Sequence, residues 1–294
     1  MKLNGKKVFV GLSGGVDSAV SAALLKEAGA EVTSVFIKGW YPEGLPCTWA
    51  RDRQDAMQVA AKLGIPFYTL DASAEYKRAV IDYLIREYKE GRTPNPDIMC
   101  NREVKFGAFY RFAREKGADF IATGHYARIE NGTLLRGVDP AKDQSYFLWA
   151  IPKETLAHLL FPLGGMKKER VRTLGRSFDL PVAEKKDSQG ICFLGPVSIE
   201  DFLRAEVGLK KGKALDETGK EIGTHEGAIA YTLGERATLG GGAPGPWYVL
   251  KKDLERNEIV VSHVPRLKES SSESIALTNL NFLSNVPAQV EAQY

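Results

Sequence analysis

Cysteine is scarce in this chain: three residues, Cys47, Cys100 and Cys192, among 294. They are too few and too scattered for a disulfide framework, and without a CxxC pair the usual ligand spacing of a structural zinc site is missing. In a reducing compartment each is either a small buried hydrophobe or a reactive thiol. Long apolar runs are also missing. None approaches the ~18–20 residues of a membrane-spanning helix. The opening "MKLNGKKVFVGLSGG" lacks an apolar stretch ending in a small-residue cleavage site, so a cytoplasmic location is expected. There is no internal repeat, and only the short "ESSSES" tract (Glu269–Ser274) is of low complexity and reads as a linker. No strong charge imbalance exists either: 40 Lys and Arg against 37 Asp and Glu give +3, which by itself does not demand a nucleic-acid partner.

The positive charge is nevertheless clustered. "MKKERVRTLGR" (Met166–Arg176) sets five basic side chains against Glu169, and shorter clusters recur at Lys185–Lys186, Lys210–Lys213 and Lys251–Lys252. Such a segment either tracks phosphates or forms a solvated helix face.

A length of 294 residues predicts two or three domains. Across the first half, strand-like and helix-like segments alternate. Strands are expected at Lys7–Leu12, Glu31–Lys38, Pro66–Leu70 and Ala118–Gly124. Helices are expected around Ser18–Ala28, over Asp52–Leu63, along the apolar face Tyr76, Val80, Tyr83, Leu84 and Tyr88, and over Glu103–Gly117. This alternation predicts an α/β fold with a doubly wound, mostly parallel sheet, whose ligands bind at the carboxyl ends of the strands. "YARIENGTLLRG" reads as a hairpin turning on Asn131-Gly132. From about Phe161 the character changes, and glycine-rich, strand-like sequence follows from Gly212. The expected domains are a catalytic domain over 1–160, to which 183–194 returns, a central domain over 161–264, and an incomplete β-rich segment over 265–294.

One more lysine is missing, and its absence is informative. "VFVGLSGGVDSAVSAAL" (residues 8–24) runs from an apolar strand through a glycine loop into a small-residue helix, the layout of a phosphate cradle. A P-loop, GxxxxGK[ST], uses its lysine on the β- and γ-phosphates; this loop has none. Gly14 and Gly15 leave room for close backbone approach, Ser13 and Ser18 supply hydroxyls, and the helix from Val16 offers free N–H groups. Asp17 is placed to hold magnesium on the phosphates. The chemistry that suits such a loop is release of pyrophosphate from ATP, with AMP left on an acceptor. An ordinary strand–helix turn is the bland alternative.

The loop resembles those of the pyrophosphatase-loop superfamily of ATP-dependent adenylating enzymes. With four further stretches, "GRTPNPDIMCN" (91–101), "ATGHYAR" (122–128), "KDQSYFL" (142–148) and "KKDSQGICFLG" (185–195), the chain is similar to the bacterial tRNA-specific 2-thiouridylase family, in order from the first strand to about "PWYVL" (246–250). The resemblance implies a pyrophosphatase-loop domain, a small central domain and a C-terminal β-barrel, here shortened. It implies that sulfur replaces the C2 oxygen of a wobble uridine in tRNA after that oxygen is adenylated. Carried over motif by motif, it implies ATP at Gly11, Leu12, Ser13, Gly14, Gly15, Val16, Asp17, Ser18, Ile37 and Gly124, and magnesium at Asp17. It implies tRNA contacts at Asn95, Pro96, Asp97, His125, Lys142, Asp143 and Gln144. Cys192 then carries a persulfide received from a sulfur-donor protein, Cys100 is the second catalytic cysteine, and Asp97 is a general acid/base. Cys47 is expected to be a spectator. Local sequence supports Cys100 separately: it precedes the helix expected near Asn101, beside Arg102 and Lys105, and a helix N-terminus next to cations lowers a thiol's pKa. The basic segment 167–176 is the candidate phosphate-tracking surface.

Three other readings compete. An amidating ligase of the same superfamily would not need Cys100 or Cys192. A non-catalytic tRNA-binding or sulfur-carrier protein would not need an intact loop. An iron–sulfur variant would use Asp97, Cys100 and Cys192 as ligands, a poor match to the usual four-cysteine set.

Overall fold

The computed structural model describes residues 3–41, 49–187, 198–242, 244–265 and 280–283. Cys47 and Cys192 lie outside the described residues. Contacts divide the chain into two compact units. The first holds described residues 3–80, 96–187 and 280–283; the second holds 81–95 and 198–265.

The first unit is built on a five-stranded, wholly parallel sheet. Its strands are β1 (Lys7–Gly11), β2 (Glu31–Lys38), β3 (Phe67–Asp71), β4 (Phe120–Ala122) and, after the hairpin β5 (Ala127–Glu130) and β6 (Thr133–Arg136), the short β7 (Leu159–Leu160). The spatial order is β3-β2-β1-β4-β7. Val8 therefore faces Val32 on one side and Phe120 on the other. The chain winds outward from β1 to β3, then returns to the far side of β1 as β4. That reversal opens a crevice beyond the carboxyl ends of β1 and β4. The hairpin turns on Asn131 and Gly132, as its dipeptide predicts.

Both faces of β1 are covered, so Val8, Phe9 and Val10 are all buried. Val8 and Val10 pack with Ala22, Leu25 and Val32, under helix α1 (Val16–Glu27). Phe9 packs on the opposite face with Val35, Ile121, Phe106 and Phe109. Helix α1 is made of small residues because its flanks are covered as well: Ala19, Val20, Ala56 and Val171 share one core, the last two from α2 (Trp49–Leu63) and a later helix described below. After β3 come α3 (Ser73–Tyr76), a π-helical turn over Lys77–Ile81, and α4 (Asp82–Lys89), so the helix expected from the Tyr76–Tyr88 spacing is present with a widened turn inside it.

A second helical run departs from expectation. It begins at Pro96, not near Asn101: α5 (Pro96–Met99) continues into a π-helix over Cys100–Ala108 and then α6 (Phe109–Glu115). Proline suits a first helical position, where its missing N–H costs nothing. Cys100 thus lies a full turn inside the run. The dipole at a helix start fades within that turn, so it does not supply the thiol activation anticipated above. The boundary expected at residue 160 also differs. After α7 (Lys153–Leu156), helix α8 (Lys168–Ser177) packs against α1 within the first unit through Val171, a residue without exposure. The described stretch Leu280–Leu283 belongs to this unit too, with Asn281 Nδ2 donating to the carbonyls of Trp149 and Ile151 at 2.7 and 3.0 Å. The rest of 265–294 lies almost wholly outside the described residues.

The second unit pairs α4 with α9 (Ile199–Val207), which is capped by Ser198 and stopped at Gly208. Its curled sheet comprises β8 (Gly212–Leu215), β9 (Glu221–His225), β10 (Arg236–Ala237), β11 (Trp247–Asp253) and β12 (Glu258–Ser262), in the order β10-β11-β12-β8-β9. Ala214, Trp247, Val249, Ile259 and Val261 form its core, matching the β-rich character read from Gly212 onward.

Ile121 sits at the centre of the main sheet with no exposure. Ile121→Ala is expected to destabilise the protein by about 2–5 kcal/mol; urea unfolding of both proteins checks this, and a change under about 1 kcal/mol would contradict the packing described.

Candidate active site

Two loops meet beyond the paired ends of β1 and β4. The first is Leu12–Gly15. Its Leu12 N–H still bonds the Val35 carbonyl at 2.8 Å, which holds the loop to the sheet. Ser18 Oγ accepts from the Ser13 N–H at 3.1 Å and donates to the Gly15 carbonyl at 3.0 Å, closing a compact ring. Gly14 has φ +77° and its missing Cβ would stand 2.3 Å from the Asp52 carbonyl oxygen, so only glycine fits. Gly15 occupies the N-cap of α1 without a capping side chain. The first-turn N–H groups of a well-buried helix thereby remain available to an anion.

The second loop, Thr123–Tyr126, lies directly against the first. A Cβ on Gly124 would come within 2.9 Å of Asp17 carbonyl carbon and of the Ser18 nitrogen. On one side of this loop Tyr126 donates its hydroxyl to Asp17 at 2.8 Å. Burial and the Asp17 charge push that phenol above its usual range, so it stays protonated and can donate. On the other side His125 is buried, bonded to Thr123 Oγ1 at 2.7 Å and set between the rings of Phe106 and Phe161. Burial, reinforced by the charge of Lys105, holds its pKa well below 6.5 and keeps the ring neutral. The surface position implied for His125 by its motif is thus, in this structure, an interior one.

Charged side chains surround the first loop. Asp17 is bracketed by Lys168 Nζ, 2.7 Å from each carboxylate oxygen. The same ammonium lies 2.8 Å from Asp187. Asp187 also takes Arg172 at 2.5 Å and Lys142 at 2.9 Å. Burial opposes ionisation there, but the hydrogen bonds from Lys168 and Lys142 prevail and lower its pKa to about 2. Lys185 spans the outside of the loop, donating to the Gly14 carbonyl at 3.0 Å, Asp52 at 2.8 Å and Asp55 at 2.6 Å. Lys168 itself is placed by Asp139, whose carboxylate accepts from the Lys168 backbone N–H at 2.8 Å.

These partners change the reading of several residues. The basic segment 167–176 is not one solvent face: Lys168 and Arg172 point to the acids around the loop, and Arg176 pairs with Glu184. Lys142 is engaged by Asp187. Asp143 accepts from Gly137 N and Ser145 N, and Gln144 is paired twice with Tyr126 through its side chain and backbone. Ile37, next to the end of β2, is half-buried against the core. Asn95 immediately precedes α5; Pro96 is buried at its start, and Asp97 follows. Burial raises the Asp97 carboxyl above 3.8, with Lys105 opposing. Cys100 is buried. Beside it, Asn101 donates to the Phe147 carbonyl at 2.9 Å, and its buried Oδ1 has no partner among the described residues. The structure therefore brings Asp17, Ser13, Ser18 and Gly124 together, and sets Asp97 and His125 in the field of Lys105. Cys192 lies outside the described residues.

Tyr126, Asp139, Lys168, Lys185 and Asp187 were not among the expected site residues. Tyr126 and Asp187 lie inside motifs already noted, which was the available signal. Lys185 also opens one of those motifs, Lys168 could be seen only as part of a basic cluster, and Asp139 had no local signal.

The fit to a nucleotide can be tested on this geometry. Gly14, whose backbone excludes a side chain, an uncapped helix start and the Asp17 carboxylate fit a triphosphate with magnesium. Asp17 would hold the metal.

Comparison with known proteins places this architecture. Residues 6–196 match the family model described as "tRNA methyl transferase HUP domain", and 200–263 match "tRNA methyl transferase PRC-barrel domain". The tRNA-specific 2-thiouridylase MnmA of Hahella chejuensis is 46% identical over 97% of this chain and 81% of its own length. That of Akkermansia muciniphila is 44% identical over 98% and 84%. Among solved structures, the tRNA thiolase NcsA of Methanococcus maripaludis superposes with a TM-score of 0.42 at 21% identity, over 69% of this chain and 67% of its own. That level of likeness decides nothing about activity.

Because burial lifts the Asp97 pKa in the folded state, the folded protein holds a proton that the unfolded chain releases near 3.8. Its contribution to stability is favourable at low pH and is lost as pH rises through the elevated value. Asp97→Asn is expected to gain stability over wild type at pH 7 and to lose that advantage toward pH 4. Urea midpoints across this range check it; a constant difference would refute the raised pKa.

Proposed function

The chain belongs to the tRNA-specific 2-thiouridylase family, and we propose that its site converts a wobble uridine of tRNA to 2-thiouridine by adenylation followed by sulfur transfer. The family-model descriptions mention methyl transfer, but the near-full-length 2-thiouridylase relatives carry the reading. Within the chain, the observation that supports it is the lysine-free glycine loop closed against Gly124, with Asp17 at its mouth.

A uracil C2 carbonyl is a weak electrophile with a poor leaving group. ATP bound at Gly11–Ser18 against Ile37 and Gly124 supplies the activation: O2 of the uracil attacks the α-phosphorus, the α–β bond breaks, and pyrophosphate leaves with the electron pair. Magnesium on Asp17, where bound, neutralises phosphate charge. The loop N–H groups and Ser13 and Ser18 orient the departing phosphates.

Asp97, whose carboxyl burial raises above its usual range against the opposing charge of Lys105, handles the proton at the base. The orphan Oδ1 of Asn101, next to Cys100, favours an occupant that presents a donor there. The terminal sulfur of a Cys192 persulfide, loaded by a donor protein, bonds C2 as AMP departs. The Cys100 thiolate then attacks Cys192 Sγ, freeing the thiocarbonyl and leaving a disulfide that an external thiol must reduce. Asn95, Pro96, His125, Lys142, Asp143 and Gln144 form the tRNA side. Because several are engaged internally, they act largely by shaping the surface that receives the anticodon loop. Extracting the base costs a few kcal/mol, which phosphate contacts elsewhere must offset.

Unmodified tRNA transcript with a wobble uridine, ATP, magnesium and a persulfide source should yield 2-thiouridine by mass spectrometry. Cys192→Ala should form none while still releasing pyrophosphate in the presence of tRNA. Asp17→Asn should slow AMP release by about 10²-fold or more. Thiolation surviving in Cys192→Ala would overturn the sulfur route, and AMP release at wild-type rate in Asp17→Asn would overturn the loop assignment.

A further inference from the structure

In the cysteine half of the site, one buried acceptor has nothing to accept from among the described residues. Asn101 directly follows Cys100 and is only 2% exposed. Its Nδ2 donates to the Phe147 carbonyl at 2.9 Å, while its Oδ1 is shielded from solvent and unpaired. Folded proteins rarely leave a buried acceptor in that state, because its lost hydration is not replaced. A carbonyl only accepts, so the Phe147 oxygen fixes which end of the amide faces it. Turning the amide over would set two oxygens against each other. Asn101 is therefore locked as an acceptor on its other side.

Its neighbours give that acceptor a chemical setting. Asp97 stands four positions earlier, across the junction of α5 with the π-helix, and residues four apart share a helix face. Cys100 lies between the two in sequence. Phe147, which holds the amide, belongs to the stretch 142–148, so one side chain ties that stretch to the cysteine helix. A uracil carries a single ring N–H on its pairing edge, N3–H, next to the C2 carbonyl. Cytosine carries a lone pair at N3 instead. An acceptor that cannot turn over pairs with the first and repels the second.

We propose that Asn101 is the residue by which this site tells uracil from cytosine: its Oδ1 accepts the N3–H of the extracted base while Phe147 holds the amide in place. Because N3 adjoins C2, the same bond keeps the reacting carbon on the cysteine side of the site. A neutral amide cannot take the N3 proton, so Asn101 selects and orients, and proton transfer stays with Asp97. The proposal deepens the 2-thiouridylase reading above and rests on it.

Equilibrium binding tests it without turnover, using the full chain with magnesium and α,β-methylene ATP, whose α–β bridge the reaction cannot break. The probes are tRNAs that differ only at the wobble residue, which is uridine, cytidine or 3-methyluridine. Wild type should bind the uridine form about 10- to 100-fold more tightly than either of the others. Asn101→Ala should weaken the uridine form by that factor and leave the other two within about twofold, so the preference disappears. If urea unfolding shows that the alanine variant does not fold, Asn101→Leu, which keeps the branched shape without polar atoms, takes its place. A uridine preference that survives in a folded variant would overturn the proposal. So would equal weakening of all the tRNAs, which would mark Asn101 as a structural support for Phe147. Wild type without a preference would overturn it with no variant needed. Formation of 2-thiouridine by wild type from the uridine tRNA, with ATP and a persulfide source, is measured alongside; its absence would remove the underlying reading, and the proposal with it.

Discussion

Everything at this site depends on the side-by-side pairing of β1 and β4. Parallel strands end at the same level, so Val10 opposite Ala122 delivers two loops to one place. The glycine loop follows one strand and Thr123–Tyr126 follows the other. Gly124 lets them touch without a side chain between them. From that contact Tyr126 faces Asp17, while His125 turns toward the helical run that carries Cys100. One four-residue turn thus links the two chemical halves of the site. Widening the strand pairing by a single side chain at Gly124 would separate them.

Electrostatics then governs the details. The glycine loop carries Asp17 and is flanked by Asp52, Asp55 and Asp187. Lys142, Lys168, Arg172 and Lys185 compensate from four later positions. None of these ion pairs is fully buried, so each contributes modestly to stability on its own. Their shared partners make them act as a network.

Away from the loop, the site is defined more by burial than by charge. Asp97 is raised toward neutrality and His125 is kept neutral, both near Lys105. A neutral imidazole packed between two phenyl rings stiffens the support behind the cysteine helix. The π-helical segment from Cys100 to Ala108 lies in that same support, and widened helical turns of this kind recur at functional sites.

Much of this was legible in the order of residues. Periodicity located the strands and most helices of the first unit, because a parallel sheet needs continuous apolar strands and the helices between them need one apolar face. The glycine loop was legible in part because Gly14 sits at positive φ against the Asp52 carbonyl, a place that only glycine fills. The start of the cysteine helix was missed, since Pro96 reads equally as a turn residue and as a first helical residue until its neighbours are packed. The placing of a boundary at residue 160 has a related reason: a basic helix looks solvated until Val171 is seen buried against α1.

By itself, then, the sequence determined the fold class, the glycine loop and the family, because each is encoded in short stretches of adjacent residues. Only the tertiary structure decided which cations serve that loop. Lys168 lies 151 positions from Asp17 in sequence, and no local pattern records a distance of 2.7 Å between residues so far apart. Such a pairing exists only once α8 has packed on α1 and Asp139 has fixed its first turn.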